Sequence, residues 1–224
     1  SAASDVYKRQ SPFRLAYNKI AELAKELIED GHKIERLDLG GGLGIPYKRA
    51  NERQPSLSEY GSIIKETVGS LGCEIQIEPG RFIVGNAGIL VSEVIYKKFG
   101  LDREFLILDS AMNDLVRPTM YQAYHEIIPI LEHRGRQDVR QYDVVGPVCE
   151  TGDIFASQRT LSEMEAGDLV AIMSAGAYAA VMASEYNTRP LVPEVLVKGN
   201  QFFTIRKRPS IDEIINRDII PTWL

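Results

Sequence analysis

A run of glycines directly after a short apolar segment constrains the fold of this chain more than any other feature. Residues 40–44 read Gly-Gly-Gly-Leu-Gly and follow residues 34–39, which have the length and composition of a strand. Consecutive glycines let the backbone N–H groups approach an anion without Cβ atoms in the way. A tight turn without a ligand is an equally good interpretation of such a run taken alone. The run therefore predicts the end of a strand, and it leaves open whether an anion binds there.

A second strand followed by a loop is predicted further along the chain, and helices precede both strands. Apolar residues at three- and four-residue spacing predict an amphipathic helix that begins at Ser11 and ends at Gly31. A second helix is predicted over 58–71, and a second strand over 74–78. Alternating helices and strands with short connections are typical of parallel α/β packing.

After Arg81 the pattern changes to short β-prone runs separated by Gly, Pro, Asp and Asn. These runs are 89–99, 104–109, 142–148, 169–173 and 201–205. Their spacing predicts an antiparallel β domain, with a boundary near residues 86–88. We therefore expect a leader over 1–10 outside the fold, an α/β part over 11–87 and a β domain over 88–224.

The α/β part is too short to close on itself. Residues 11–87 supply about two strand–helix units, whereas a (β/α)8 barrel takes eight units and about 250 residues. An open sheet of this size leaves unpaired edges. We expect these residues to be the second part of a longer fold, with the remainder preceding residue 11.

Composition narrows the class of protein. The chain has 224 residues, 44% of them hydrophobic and 25% charged, with a net charge of −5. Its dispersed basic residues argue against a nucleic-acid surface, and its longest small or apolar stretch, 176–183, is far below the ~20 residues of a membrane helix. We expect no metal site, no disulfide framework and no secretory signal, hence a cytoplasmic protein. We assign no role to His32, His125 or His133 and treat Cys73 as structural.

Loops at the ends of the two predicted parallel strands form the first candidate site. Glu78-Pro79-Gly80-Arg81 ends the second strand as the glycine run ends the first, and it adds a cation. Such loops face the same end of a barrel, where barrel enzymes place their sites. A second phosphate or cofactor contact is one interpretation, and a surface ion pair on a turn is the other.

Three segments of the predicted β domain carry further candidates. Arg117 and Tyr121 lie four residues apart, and a planar guanidinium can hold a carboxylate through two hydrogen bonds. Cys149 stands beside Glu150, where a neutral thiol suits a proton donor better than a nucleophile. Tyr178 lies among very small residues, so it is either exposed or in contact with a ligand. The alternatives are a solvated arginine, a packed tyrosine and a cysteine that is simply buried.

The ordered set of motifs resembles the diaminopimelate decarboxylases, which belong to the alanine-racemase-like, pyridoxal-phosphate decarboxylases. The blocks that carry the resemblance are, in the family's order, 37–47, 78–81, 109–121, 149–153 and 176–178. Ornithine and arginine decarboxylases share the first two blocks, whereas residues 113–117 and Glu150 are similar to the diaminopimelate version. The resemblance implies the C-terminal part of a pyridoxal-phosphate-binding (β/α)8 barrel followed by an antiparallel β-sandwich or barrel-like domain.

The resemblance also implies which residues hold pyridoxal 5′-phosphate. The set is Gly41, Gly42, Glu78, Pro79, Gly80, Arg81 and Tyr178. The family's Schiff-base lysine and its ring-stacking histidine match nothing in this sequence. We therefore expect the chain to be a fragment that does not catalyse by itself.

The implied substrate-binding residues are Arg81, Arg117, Tyr121, Glu150 and Tyr178. In the family the two arginines and Tyr121 would hold a carboxylate, and Glu150 would meet the distal ammonium group. Cys149 would return a proton after carbon dioxide leaves.

The implied activity of the full-length protein is conversion of meso-2,6-diaminopimelate to L-lysine, in a homodimer with shared active sites. Two alternatives stay open. One is a catalytically silent relative that regulates an active decarboxylase, and the other is a decarboxylase of another basic amino acid such as ornithine or arginine.

Overall fold

The computed structural model describes residues 11–48, 52, 54–131 and 138–223. The predicted leader over 1–10 and His133 lie outside the described residues. The chain forms two compact units. The first contains the chain up to Ile89 together with residues 123–126 and 173–177, and the second contains residues 90–122, 127–172 and 178 onwards.

The first unit has the predicted alternation of helices and strands. Its elements are α1 (Ser11–Glu29), β1 (Arg36–Asp38), α2 (Leu57–Thr67), β2 (Glu74–Gln76) and α3 (Gly80–Val84). Strands β1 and β2 pair in parallel, with Leu37 opposite Ile75. Helix α2 is capped by Ser56, whose side chain accepts a hydrogen bond from the amide of Glu59, and it ends before the predicted residue 71. The parallel pair places the loops that follow β1 and β2 side by side.

An aromatic cluster joins the two long helices of the first unit. The hydroxyls of Tyr17 and Tyr60 lie 2.9 Å apart in the core, and the ring of Phe13 packs edge-on against Tyr60 at 5.3 Å. Burial and the hydrogen bond raise the pKa of Tyr17. Leu39 and Leu43 belong to the same core. The loop after β1 is thereby anchored to α1 and α2.

The second unit is built on a six-stranded sheet. Its strands are β3 (Leu90–Phe99), β4 (Glu104–Leu108), β5 (Ile127–Pro129), β6 (Val139–Val145), β7 (Ile154–Ser162) and β8 (Leu169–Ile172). Their order is β5-β8-β3-β4-β6-β7, and the two end strands contact each other, so the sheet nearly closes into a barrel. Val94, Leu106, Tyr142, Val144 and Ile172 are buried in its core.

The sheet is antiparallel, as predicted, except for one pair. Strands β4 and β6 run parallel, with Glu104 opposite Tyr142. Parallel neighbours need a long crossover rather than a hairpin, and residues 109–138 supply it. Strands β5 and β7 have no counterpart among the predicted runs.

The remaining elements lie towards the C-terminus and in the crossover. They are α4 (Arg117–Tyr121), β9 (Glu194–Lys198), β10 (Gln201–Arg206), α5 (Ile211–Ile215) and short 3₁₀ turns over 85–87, 180–182 and 186–188. Strands β9 and β10 form an isolated antiparallel hairpin. Helix α5 begins with a capping box formed by Ser210 and Glu213. Within the described ranges, no helix has the length and apolar character needed to cross a membrane.

Candidate active site

The glycine loop of the first unit is shaped by contact with the loop after β2. The amide of Glu78 donates to the carbonyl of Gly40 at 2.9 Å, which continues the parallel pairing beyond the strands. Gly40 and Gly42 have φ of +68° and +91°, and a Cβ at Gly41 would lie 2.4 Å from the carbonyl oxygen of Glu78. Only glycine fits this backbone. The structure thus brings Gly41 and Gly42 together with Glu78.

Arg81 is held by a tyrosine to which the sequence assigned no role. Its Nη1 donates to the hydroxyl of Tyr47 at 2.9 Å. The ring of Tyr47 packs edge-on against His125 with 5.4 Å between centroids, and Nδ1 of His125 donates to the carbonyl of Met173 at 2.8 Å. His125 is buried and is therefore not the isolated histidine that its sequence context indicates. Tyr47 is the last residue of the glycine motif over 37–47, and this position was the only indication of its role in the sequence.

The segment before Tyr178 is packed too tightly for any residue but glycine at its centre. A Cβ at Gly176 would lie 1.8 Å from the carbonyl oxygen of Val84, and the hydroxyl of Ser174 donates to Oδ1 of Asn86 at 2.7 Å. Ser174 and Tyr178 both have positive φ, +58° and +57°. A left-handed aromatic residue is strained, and such strain concentrates at functional sites. Tyr178, with 43% of its surface exposed, is a candidate on this ground as well.

In the second unit, helix α4 presents a buried arginine and an exposed tyrosine. Arg117 is 6% exposed, whereas Tyr121 is 56% exposed. The solvated arginine and packed tyrosine that the sequence left open are both wrong. Arg117 is therefore held inside the second unit, whereas the phenol of Tyr121 is open to solvent.

A polar network fixes the segment that leads into α4. Nε of Arg189 donates to Oδ1 of Asn113 at 3.1 Å, and Nη2 donates to the carbonyl of Asp109. Asp114 accepts from the amide of Ala111 at 2.9 Å. Burial raises the pKa of Asp114, and the Ala111 amide and the Arg189 guanidinium oppose this effect. Sequence analysis missed Arg189, because no motif surrounds it and its partners lie far away in the chain.

The loop that carries Cys149 and Glu150 lies against α4. The hydroxyl of Thr119 donates to the carbonyl of Gly152 at 2.6 Å, and the amide of Gly152 donates to Oε1 of Glu150 at 3.2 Å. Cys149 is exposed, so the buried-cysteine alternative is wrong. The thiol and the carboxylate are available beside the helix that carries Arg117.

The predicted site residues therefore fall into groups within the two units. The glycine loop and the Glu78–Arg81 turn lie together in the first unit, and α4 lies with the Cys149–Glu150 loop in the second. Cys73 donates to the carbonyl of Ile34 at 3.3 Å, as a structural residue does. Among the described residues, no group of three or more His, Cys, Asp and Glu could hold a metal ion.

Comparison with known proteins adds a family to this geometry. Residues 6–176 match the family described as pyridoxal-dependent decarboxylase, C-terminal sheet domain. The diaminopimelate decarboxylase of Zymomonas mobilis is 50% identical over 96% of this chain, and that of Aquifex aeolicus is 43% identical over 92%. The crystal structure of diaminopimelate decarboxylase from Helicobacter pylori complexed with L-lysine has a TM-score of 0.85 at 37% identity, covering 93% of this chain and 51% of that one. The chain spans about half the length of the curated relatives it matches.

Proposed function

The chain belongs to the pyridoxal-dependent decarboxylases, and from this premise we propose that the full-length protein converts meso-2,6-diaminopimelate to L-lysine. Relatives at 43–50% identity carry the diaminopimelate decarboxylase name. Because this chain covers only about half of their length, activity and substrate are proposed for the longer protein.

The first unit fits the phosphate of the cofactor. Gly41 is partly buried and Gly42 is exposed, neither carries a Cβ, and the adjoining turn over 78–81 adds the guanidinium of Arg81. A glycine loop with a neighbouring cation suits a phosphate dianion. Glu78, Pro79 and Gly80 would complete the cradle, and Tyr178 would contact the cofactor ring. When bound, pyridoxal phosphate supplies an electron sink for the bond that releases carbon dioxide.

The second unit supplies groups for the two charges of an amino-acid end. Arg117 and Tyr121 would hold a substrate carboxylate, and Glu150 would accept hydrogen bonds from the ammonium group. Arg81, in the first unit, is proposed as a substrate-binding cation as well. The combination of Glu150 with an arginine would distinguish diaminopimelate from ornithine. The distal carbon of diaminopimelate carries a carboxylate beside its ammonium group, so its binding needs an arginine beside an acid.

Cys149 is the proposed proton donor. Its thiol is exposed in the loop beside Glu150, and it would give its proton to the substrate carbon that has lost carbon dioxide. General acid catalysis of this kind contributes about 10²–10⁴-fold to a rate.

The observation that carries the proposal is the hydrogen bond of 2.6 Å between Thr119 and Gly152. It joins the helix that carries Arg117 to the loop that carries Cys149 and Glu150. This bond supports the proposal that a carboxylate-binding group, an ammonium-binding group and an acid belong to the same unit.

The test uses the full-length protein with pyridoxal phosphate and a panel of meso-diaminopimelate, ornithine and arginine. We expect carbon dioxide and L-lysine from diaminopimelate, with kcat/KM at least about a hundredfold above the other two, because unpaired site charges reject analogues that lack the matching group. Preference for ornithine or arginine would support the alternative that the protein is a decarboxylase of another basic amino acid. Binding without turnover of any substrate would support the silent relative.

The quaternary state and compartment are also proposals. We propose a homodimer in which the Cys149–Glu150 loop of one subunit completes the barrel site of the other, and a cytoplasmic enzyme without nucleic-acid or membrane partners. A two-fold dimer satisfies both sites with a single repeated interface.

A further inference from the structure

The buried carboxylate of Asp153, at the start of β7, binds two separate segments of the second unit. The residue is 3% exposed. Its Oδ1 accepts the amide of Met112 at 2.7 Å, and its Oδ2 accepts the amide of Val148 at 2.9 Å. Met112 leads into α4 and Arg117, whereas Val148 directly precedes Cys149. One planar group thus sets the distance between the two segments.

The backbone of Asp153 also closes the loop that its side chain occupies. Its amide donates to the carbonyl of Glu150, and its carbonyl accepts the amide of Gly146, both at 3.0 Å. A Cβ at Gly146 would lie 2.3 Å from Oδ2, so the carboxylate fills space that only glycine leaves. Burial raises the pKa of Asp153, and the amides of Val148 and Met112 oppose the rise.

We propose that Asp153 is a positioning residue that holds the Cys149–Glu150 loop in register with the segment leading to Arg117. The proposal rests on the proposed function for the roles of those three side chains. Hydrogen bonds to a carboxylate are stronger than neutral ones, and misplacing reacting groups by about 1 Å costs about a hundredfold in rate. Without the tether the two segments are held less tightly, because only contacts further along each segment, such as the hydrogen bond from Thr119 to Gly152, still join them.

The decisive variant is Asp153→Asn in the full-length holoenzyme. An asparagine side chain has one acceptor oxygen, and its amide nitrogen cannot accept, so the Met112 or the Val148 amide loses its partner. We expect kcat/KM for the preferred substrate to fall about 10- to 100-fold. Hydrogen exchange should rise in the segment whose amide has lost its partner, over 110–117 or over 146–150.

Asp143→Asn is the matched control. Asp143 is 5% exposed, and it also accepts a backbone amide, that of Gln158 at 2.8 Å, together with Nη1 of Arg103 at 3.0 Å. It touches none of the proposed site residues. We expect a comparable loss of thermal stability in this variant, with kcat and KM within about twofold of wild type.

Three results would overturn the proposal. Equal losses of kcat/KM in the two variants would make Asp153 merely structural, and unchanged exchange in both segments would exclude a tether. If Asp153→Asn does not fold, hydrogen exchange of the wild-type protein tests the proposal instead. The protection factors of the Met112 and Val148 amides should agree within about tenfold, and a larger difference would overturn the proposal. Exchange needs no turnover, so an inactive wild type would reject the proposed function and leave the tether to be judged by exchange alone.

Discussion

The hydroxyl of Tyr47 accepts a hydrogen bond from the guanidinium of Arg81, and its removal is a mild test of the proposed phosphate site. In full-length protein, Tyr47→Phe keeps the ring on His125 and deletes the 2.9 Å hydrogen bond. Losing a hydrogen bond to a charged group costs about 1.5–3 kcal/mol. We therefore expect pyridoxal phosphate or substrate affinity to fall about tenfold or more, as measured by cofactor titration and KM. Tyr60→Phe, which deletes an equally long hydrogen bond in the core, should change stability and leave both affinities intact.

Replacing Cys149 by alanine and replacing Arg117 by alanine should change different kinetic parameters of the full-length enzyme. Cys149→Ala removes a donor used after binding, so kcat should fall by about 10²-fold or more with KM nearly unchanged. Arg117→Ala should mainly raise KM, by an amount equivalent to about 2–5 kcal/mol for a buried charge pair. Steady-state measurement of kcat and KM for both variants tests this assignment of roles. A KM effect for the cysteine with a kcat effect for the arginine would reverse the assigned roles.

The residues that sequence analysis identified and those that it missed differ in where their partners lie. Gly41 and Arg81 stand in compact motifs, so their chemistry is readable from neighbours in the chain. Arg189, Asp153 and Tyr47 act through partners in distant segments. Only the folded chain brings such groups together, so the sequence motifs that contain Tyr47 and Asp153 did not reveal their partners, and no motif surrounds Arg189.

At the scale of elements, the segment before Tyr178 depends on the absence of one methyl group. Gly176→Ala places a Cβ 1.8 Å from the carbonyl oxygen of Val84, and overpacking of this kind costs about 1–3 kcal/mol or more. Gly61 in α2 is the control, because a Cβ there meets nothing within 4 Å. Gly61→Ala should stabilise the helix by about 0.5–1 kcal/mol. Urea unfolding of the full-length protein measures both, and equal signs would contradict the prediction.

Elements with regular patterns were predictable, and those set by distant pairing were not. The apolar spacing of α1 and the two parallel strands followed from local sequence. Strand β7 was missed because polar residues such as Gln158 and Arg159 interrupt its apolar positions. The parallel pairing of β4 with β6 was missed because it depends on which strands become neighbours, and local pattern does not encode that choice.

For the whole molecule, the β9–β10 hairpin predicts the behaviour of the 224-residue chain by itself. Large apolar side chains are exposed on both of its strands, namely Val195, Leu196, Val197, Phe202, Phe203 and Ile205. An isolated hairpin is marginally stable, and exposed apolar patches promote association. We expect the isolated chain to self-associate in light scattering, and joint replacement of Phe202 and Phe203 by threonine to reduce this. A monomer that melts cooperatively would contradict the prediction.

The proposed shared-site dimer makes a prediction that only mixed subunits can test. A full-length variant without the Schiff-base lysine and the Cys149→Ala variant should each be nearly inactive. Mixed under conditions of subunit exchange, they form heterodimers in which one site regains both groups. Part of the activity should therefore return. Verified exchange without any recovery would show that each site is built within one subunit.

The parallel pairing of β4 with β6 also bears on how the second unit acquires its structure over time. Glu104 and Tyr142 become neighbours only after the whole crossover, which includes α4, has been closed into a loop. Closing a long loop costs entropy before any contact repays it, and non-local pairings of this kind slow folding. Registry of the β4–β6 pair and placement of Arg117 thus depend on closure of the same long loop. Any change that slows this closure should delay the strand pairing and the positioning of the arginine together.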